Sequence, residues 1–435
     1  MILPNYSIKC YLWVFIFITT SGVGQVLKFS DLNKESSSGA LNLFFKSDKD
    51  TLIIDIKGSP WFFGPNRIEN AANKVVILEK GVEVYAMPGS FLKKGDAFFK
   101  FVDCKNIKII GDENVFCMNK SEYLTGEWRH GFSFIGCTNM SLSGIHIKDS
   151  GGDGIYIAGS KKKKYSESIS IEKVRSTNNK RQGMSVISAK KLIVSNSIFE
   201  KTKGTLPEAG VDFEPNSKND VLSEIAFKDC VFSNNGHSGI LLALNKLQSD
   251  SEPISITFYN CVIQRNHHKE NRYVASEITI GANKYSPVGG LVTFENCLIR
   301  DSDWGLLYTR KTPDAYKVIF KNCVAQDISK DGSFPPIYLE VPDYRTNTYD
   351  LGGFIFDNLY ISYSTDLPLF LVRGSKLNTL KNVKDITGTI ILNNSTGDKT
   401  IIKYINYDPQ YNRNVNFRVI DKIDSGMRMR DKNNN

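Results

Sequence analysis

Residues 204–216, GTLPEAGVDFEPN, carry three carboxylates, Glu208, Asp212 and Glu214, within a span of seven positions. Like charges this close push one another's pKa apart, so one acid can hold a proton while its neighbour stays ionised. General acid–base catalysis needs that division, and glycoside hydrolysis runs on such a pair of carboxyl groups. The same oxygens would also suit Ca2+, which takes several oxygen ligands in loose geometry. The plainest alternative is a solvated sheet face on which opposite charges pair weakly.

The elements that must position these acids are repeats. One unit reads IAFKDCVFSNN (225–235), ITFYNCVIQRN (256–266), VTFENCLIRDS (292–302), VIFKNCVAQDI (318–328) and FIFDNLYISYS (354–364), with a looser copy LIVSNSIFEKT (192–202). Each is a short alternating strand, a polar pair ending in Asn or Asp, and a second short strand. Successive copies lie about 26 to 36 residues apart, a period that fits solenoids. If every copy is one coil, Phe227, Phe258, Phe294, Phe320 and Phe356 form one buried ladder. Cys230, Cys261, Cys297 and Cys323 form a second, packing as small hydrophobes. Between them runs a polar ladder of Asn196, Asp229, Asn260, Asn296, Asn322 and Asn358, residue types that tolerate the backbone of a bend.

A second, offset repeat aligns RHGFSFIG, GDGIYIAG, RQGMSVIS, EAGVDFEP, HSGILLAL and DWGLLYTR on Gly131, Gly154, Gly183, Gly210, Gly239 and Gly305. The residue after each glycine and the one two beyond are apolar, as in Val211 and Phe213, and so point inward. Glu208, Asp212 and Glu214 then share the outward parity and line one face of one strand. Neighbouring coils add Arg181 and His237 at the Glu208 position, with Arg129 farther along the same row, and Tyr156 two coils away at the Asp212 position; Asp153 and Gln182 precede their glycines. The face is most polar between residues 129 and 240, and the later coils are much less so.

Two or three strands per coil and no long helical pattern define an all-β chain: a single-stranded right-handed parallel β-helix, the hand following from the rule for parallel crossovers. Residues 1–25 read as a secretory signal peptide, with Lys9 before the apolar run YLWVFIFI. Residues 26–73 lack the repeat and are expected to cap the solenoid. The β-helix domain is expected over 74–395, and 396–435 form a C-terminal segment ending in a disordered tail, MRMRDKNNN. His146 has core-strand surroundings and reads as structural, whereas His267 and His268 sit in an insertion that reaches over the groove.

The chain of 435 residues carries a net charge of +9, which suits an exported protein meeting an acidic polymer. The run KKKK (161–164) reads as a solvated loop, and no aromatic interleaving or nucleic-acid motif accompanies it. Seven cysteines remain once Cys10 leaves with the signal, an odd number with no CxxC spacing, so neither a disulfide framework nor a zinc site is indicated. No second apolar run spans a membrane. Ser-His-Asp, P-loop and HExxH arrangements are absent.

GGDGIYI, NNKRQGMSVISA and GTLPEAGVDFEPN, together with the repeats, resemble the pectate-lyase-like superfamily over roughly residues 75–395. Members act mostly on polysaccharides, by hydrolysis or β-elimination, in a groove along one sheet face. The chain is also loosely similar to polygalacturonase-like hydrolases: GGDG supplies Asp153, GVDFE supplies Asp212, and NGHSG supplies Gly236 and His237. It departs from them in lacking the Asp-Asp pair and the Arg-Ile-Lys motif. Asp212 with Glu214 resembles the i, i+2 acids of iota-carrageenases.

The leading expectation is a secreted hydrolase of a polysaccharide, anionic ones included, working as a monomer at the cell surface, in a periplasm or outside the cell. Asp212 and Glu214 would be general acid and base with Glu208 tuning them, and no cofactor is required. Arg129, Asp153, Tyr156, Arg181, Gln182 and His237 would bind substrate. The alternative is a polysaccharide lyase or uronate epimerase in which Asp212, Glu214 and Glu208 hold Ca2+ and Arg181 or Arg129 abstracts the proton. A third reading is a non-catalytic glycan-binding scaffold.

Overall fold

In a computed structural model, residues 26–32, 36–124, 126–267, 274–394, 400–423 and 426–430 are described. The expected signal peptide and His268 lie outside them.

Alternating apolar residues force each repeat into a strand with one buried row. In Leu222–Lys228, Leu222, Ile225 and Phe227 are buried, and the strand pairs in parallel with Ala189–Ser195 before it and Ile254–Tyr259 after it. The register sets Phe227 against Phe258, Phe258 against Phe294, Phe294 against Phe320 and Phe320 against Phe356. Successive ring centroids stand 5.2, 4.9, 4.9 and 5.9 Å apart. Removing each ring from water contributes roughly 1.5–3 kcal/mol. The cysteines form the expected second ladder. Each thiol donates to a carbonyl one coil back: Cys230 to Val194, Cys261 to Phe227, Cys297 to Phe258 and Cys323 to Phe294. All seven cysteines among the described residues are free.

The polar ladder marks the bends. Asn196, Asp229, Asn260, Asn296, Asn322 and Asn358 all have φ between +49° and +60°, the left-handed region that Asn and Asp enter at least cost. The Asn260 amide donates to the Asp229 carboxylate and that of Asn358 to Asn322 at 3.1 Å. Asn139 and Asn106 continue the same ladder toward the N-terminus, each donating at 2.8 Å to the coil before.

Among the described residues, 23 strands form one folded sheet and 12 form a second, with a continuous apolar core between them. The twelve-stranded sheet runs from Asn66–Glu69 to Ile402–Ile405, one strand per coil, every pair parallel. It carries the acids.

The coils extend beyond the expected limits. Thr51–Ile54 already pairs in parallel with Ala72–Leu78, and Asn66–Glu69 with Ala97–Val102, so stacking begins well before residue 74. Ahead of them the helix Ser37–Lys46, capped by the Ser36 hydroxyl, buries Ala40, Leu41, Phe44 and Phe45. At the other end Arg413–Ile423 still pairs in parallel with Leu380–Asn394. Gly426–Arg430, expected in a disordered tail, is an antiparallel strand on Arg413–Ile423; residues 431–435 lie outside the description.

One copy of the offset repeat is misaligned in the sequence. Leu307 pairs with Ile278, which pairs with Ile240. Gly305 is therefore one residue away from the position of Gly239, and Tyr308 faces outward. A slip of one residue moves every side chain to the opposite face, which is why that coil reads as apolar; the Gly239 copy is in register and does present Leu241 outward.

Candidate functional site

The outer face of the twelve-stranded sheet presents a column set by the pairing: Ser133, Tyr156, Ser185, Asp212, Leu241, Thr279, Tyr308 and Tyr338. Asp212 is central to the strand Val211–Phe213, between Val211 and Phe213 that fill the core, and it is fully buried. Its Oδ2 accepts from the Gln182 amide at 2.7 Å, while Oδ1 has no hydrogen-bond partner. Burial raises its pKa well above the carboxylate range, and Glu214 adds to this more than Arg181 offsets. Gln182 was expected to bind substrate. It is instead fully buried, its carbonyl accepting from Ala209 N–H at 2.7 Å, and it positions Asp212.

Asp153, one coil before Gln182, is also fully buried, and neither oxygen accepts a hydrogen bond. Burial pushes its carboxyl up to about 7, with Arg181 pulling the other way. His130 stands beside it, Nδ1 to Asp153 Oδ2 3.4 Å. That Nδ1 accepts from Asp153's own N–H at 3.0 Å and so carries no proton. Burial, helped by Arg181 and Lys100, holds the imidazole down at about 3. An ionised Asp153 would face this lone pair, a second reason for the acid to keep its proton. His130 also stacks on Tyr156 with centroids 4.7 Å apart. The sequence held a signal for it: His130 precedes Gly131 as Asp153 precedes Gly154.

Arg181 ties the cluster together. One guanidinium nitrogen lies 2.6 Å from Glu214 Oε2 and the other 3.8 Å from Asp153 Oδ1. Burial works to lower its pKa, but the two acids outweigh that and raise it. Glu214 is the exposed member, with 39% of its side chain accessible. Asp153, Asp212, Glu214, Arg181, Gln182, Tyr156 and the unforeseen His130 are thus brought together.

Three expected residues are not. Glu208 does not share the strand's parity: its backbone is left-handed at φ +54°, which breaks the two-residue alternation. Its carboxylate accepts from Gly204 N–H at 2.8 Å, clasping the preceding loop. The three-acid calcium cradle is therefore not assembled, and among the described residues no three His, Cys, Asp or Glu converge as a metal site. Arg129 donates to the carbonyls of Phe91 and Leu92 at 2.7 and 3.1 Å and stacks on Tyr123. It holds a loop. His237 is buried, paired with Ser238 at 3.1 Å and held down at about 3 by burial, but it does line the groove described next.

From Arg181 and Glu214 a groove of about 800 Å³ runs over Leu241 and Thr279 to Tyr308, Arg310 and Arg345. At its far end the buried Glu340 carboxylate accepts from Tyr308 OH at 2.6 Å and Tyr338 OH at 2.9 Å, with Arg310 3.2 Å away. The misaligned copy hid this second cluster. His146 is half-buried on the other sheet, 3.3 Å from the Thr177 hydroxyl, away from the groove.

Fold and site together are those of a right-handed parallel β-helix protein with a polar groove on one sheet. The family described as right-handed β-helix region matches residues 106–285. A curated relative, an uncharacterised SPbeta prophage-derived protein, YorA, of Bacillus subtilis, is 26% identical over 148 residues, covering 31% of this chain and 25% of its own length. The aligned part thus spans a quarter of that relative. Among solved structures, the chain is similar to a mutant tailspike protein of E. coli bacteriophage HK620 in complex with a hexasaccharide (TM-score 0.56, 11% identity, 91% of this chain and 80% of that one). It is also similar to the surface adhesin PfbA of Streptococcus pneumoniae (TM-score 0.56, 11% identity, 94% and 97%) and to pectate lyase Pel9A (TM-score 0.50, 13% identity, 80% and 81%). At these identities the likeness is one of fold. Among the described residues no helix is long and apolar enough to cross a membrane.

Proposed function

We propose that this protein is an exported glycoside hydrolase that cleaves a polysaccharide lying in the groove. The observation that carries this reading is the contrast between two neighbouring acids. Asp212 is buried with its pKa raised, whereas Glu214, two residues on, is exposed in the groove and bound to Arg181. Asp212 is the proton donor to the glycosidic oxygen. Glu214, paired with the Arg181 guanidinium, is the groove-facing carboxylate that activates water or attacks the sugar. Asp153 holds the cluster's remaining proton next to neutral His130, and Gln182 fixes the donor's orientation. Elimination is disfavoured because the candidate bases are poor: Arg181 is held above its ordinary pKa, and Arg129 is spent on two carbonyls. The hexasaccharide-bound tailspike supports the choice of a glycan as ligand.

One observation favours a second reading. Asp212 and Asp153 are both 0% exposed, which suits a scaffold that binds glycan without turning it over. Product analysis on neutral, uronate and sulfated polysaccharides, with and without EDTA, separates the readings. Hydrolysis gives new reducing ends without absorbance near 235 nm, and Asp212→Asn and Glu214→Gln abolish them. Absorbing, EDTA-sensitive products would replace it with elimination. Binding without products, unchanged in both variants, would replace it with the scaffold.

A further inference from the structure

The two ends of the groove differ in how their charges are balanced. At the acid end Arg181 is neutralised by Glu214 and Asp153. Toward the other end the lining carries Lys284, Arg310 and Arg345, with no acid among the groove-lining residues there. Arg310 is partly offset by Glu340 beneath it, yet its Nε is buried without a hydrogen-bond partner. Among the described residues Lys284 forms no ion pair: its Nζ is buried, donates to no carboxylate or carbonyl, and sits 4.3 and 3.9 Å from the ring centroids of Tyr285 and Tyr349. An ammonium whose donors are all unmet is costly unless an anion completes it. The rings stabilise the cation but satisfy none of its three donors. Arg345 lies over Tyr344, with its centre 4.9 Å from the ring, and among the described residues forms no ion pair.

We infer that the Lys284–Arg345 end of the groove is a subsite for an anionic sugar unit, one bearing a carboxylate or sulfate, within the same chain whose linkage is cleaved at Asp212 and Glu214. This rests on reading the groove as a glycan site. Lys284 and Arg345 take the acidic group, and Arg310 lends a further positive charge. The exposed ring of Tyr285, which also lines the groove, offers a flat apolar face to a neighbouring sugar. Specificity for acidic glycans is therefore set several coils away from the reacting acids.

The test is equilibrium binding of oligosaccharides of matched length, neutral, uronate and sulfated, to the full chain carrying Glu214→Gln, so that nothing is consumed. The acidic ligands should bind more tightly than the neutral one, and the difference should shrink as NaCl is raised. Adding Lys284→Gln or Arg345→Gln should each weaken acidic ligands about tenfold, the loss expected for one charge-assisted hydrogen bond. Neither should change the neutral ligand, which also shows that the variants fold. Preference for uronate over sulfate, or the reverse, identifies the acidic group. Equal losses for neutral and acidic ligands, or no acidic preference in the parent, would overturn the subsite. Loss of turnover is not part of this readout, so a failed hydrolase reading would leave acidic binding intact and visible.

Discussion

The bend and core of the larger sheet and the outer face of the smaller one follow opposite rules. On the first, one residue type recurs coil after coil: Phe stacks on Phe, thiol follows thiol, and Asn hands an amide to the Asn or Asp before it. On the second, the column from Ser133 to Tyr338 repeats no type in adjacent coils until its last pair. The larger sheet meets the same physical problem in every coil and solves it the same way. The outer face of the smaller sheet lies outside the apolar core, yet it buries two acids and an imidazole whose charged forms are disfavoured there. Departure from the repeat, outside the core, marks the candidate site.

That comparison can be broken by mutation. Phe258→Ala, in the middle of the ring stack, should cost about 3–5 kcal/mol in chemical denaturation. Asp212→Asn keeps shape and the bond from Gln182 while removing the cost of keeping a buried carboxyl protonated, so it should leave stability unchanged or raise it. If Asp212→Asn destabilises as much as Phe258→Ala, the face is structural and the contrast fails.

Asp153 gives the next largest effect. Its folded pKa lies near 7, above the value of about 3.8 expected when unfolded. Between these values the folded chain holds a proton that the unfolded chain has released, so this group's contribution is greatest below pH 4 and is lost as pH rises to 7. The loss amounts to roughly 2–4 kcal/mol. Asp153→Asn should flatten that part of the stability profile, and the difference between the two proteins, followed by denaturation from pH 4 to 8, should grow with pH. A difference independent of pH would mean that Asp153 is ionised throughout.

Arg181→Met removes the countercharge of Glu214 and Asp153. We expect a cost of about 2–3 kcal/mol at pH 8, smaller at pH 5, where Asp153 takes up a proton instead. The smallest effect belongs to the bend: Asn260→Ala should cost about 1 kcal/mol for its left-handed backbone, and Asn260→Gly less. An equal cost for both would assign the effect to the side-chain ladder and not to φ.

Much of the fold was legible because a solenoid writes its register into the sequence. The positions of Phe227 to Phe356, the thiol ladder and the bend asparagines follow from spacing alone. The candidate site was legible only in part. Asp212 and Glu214 stood out by charge density, and Arg181 by register. Parity failed wherever the chain left the strand: Glu208 lies three residues before Val211, in a left-handed turn that no outward count can cross. Gln182 and Arg129 are expected among the substrate-binding residues, but what their long side chains reach is decided by neighbouring coils and loops. The Tyr308–Glu340 cluster was lost to one misplaced glycine, since DWGLLYTR offers two glycine-to-leucine alignments and pairing with Ile278 selects the other.

The central claim is that a buried acid of this face holds a proton near neutral pH beside the Glu214–Arg181 pair. Infrared difference spectra of the parent chain against Asp212→Asn and Asp153→Asn, recorded at pH 6, test it directly through the C=O stretch of a protonated carboxyl. The account predicts that band in the parent, with one component removed by Asp212→Asn and a second, removed by Asp153→Asn, that fades as pH passes about 7. Spectra showing only ionised carboxylates at pH 6 would contradict it.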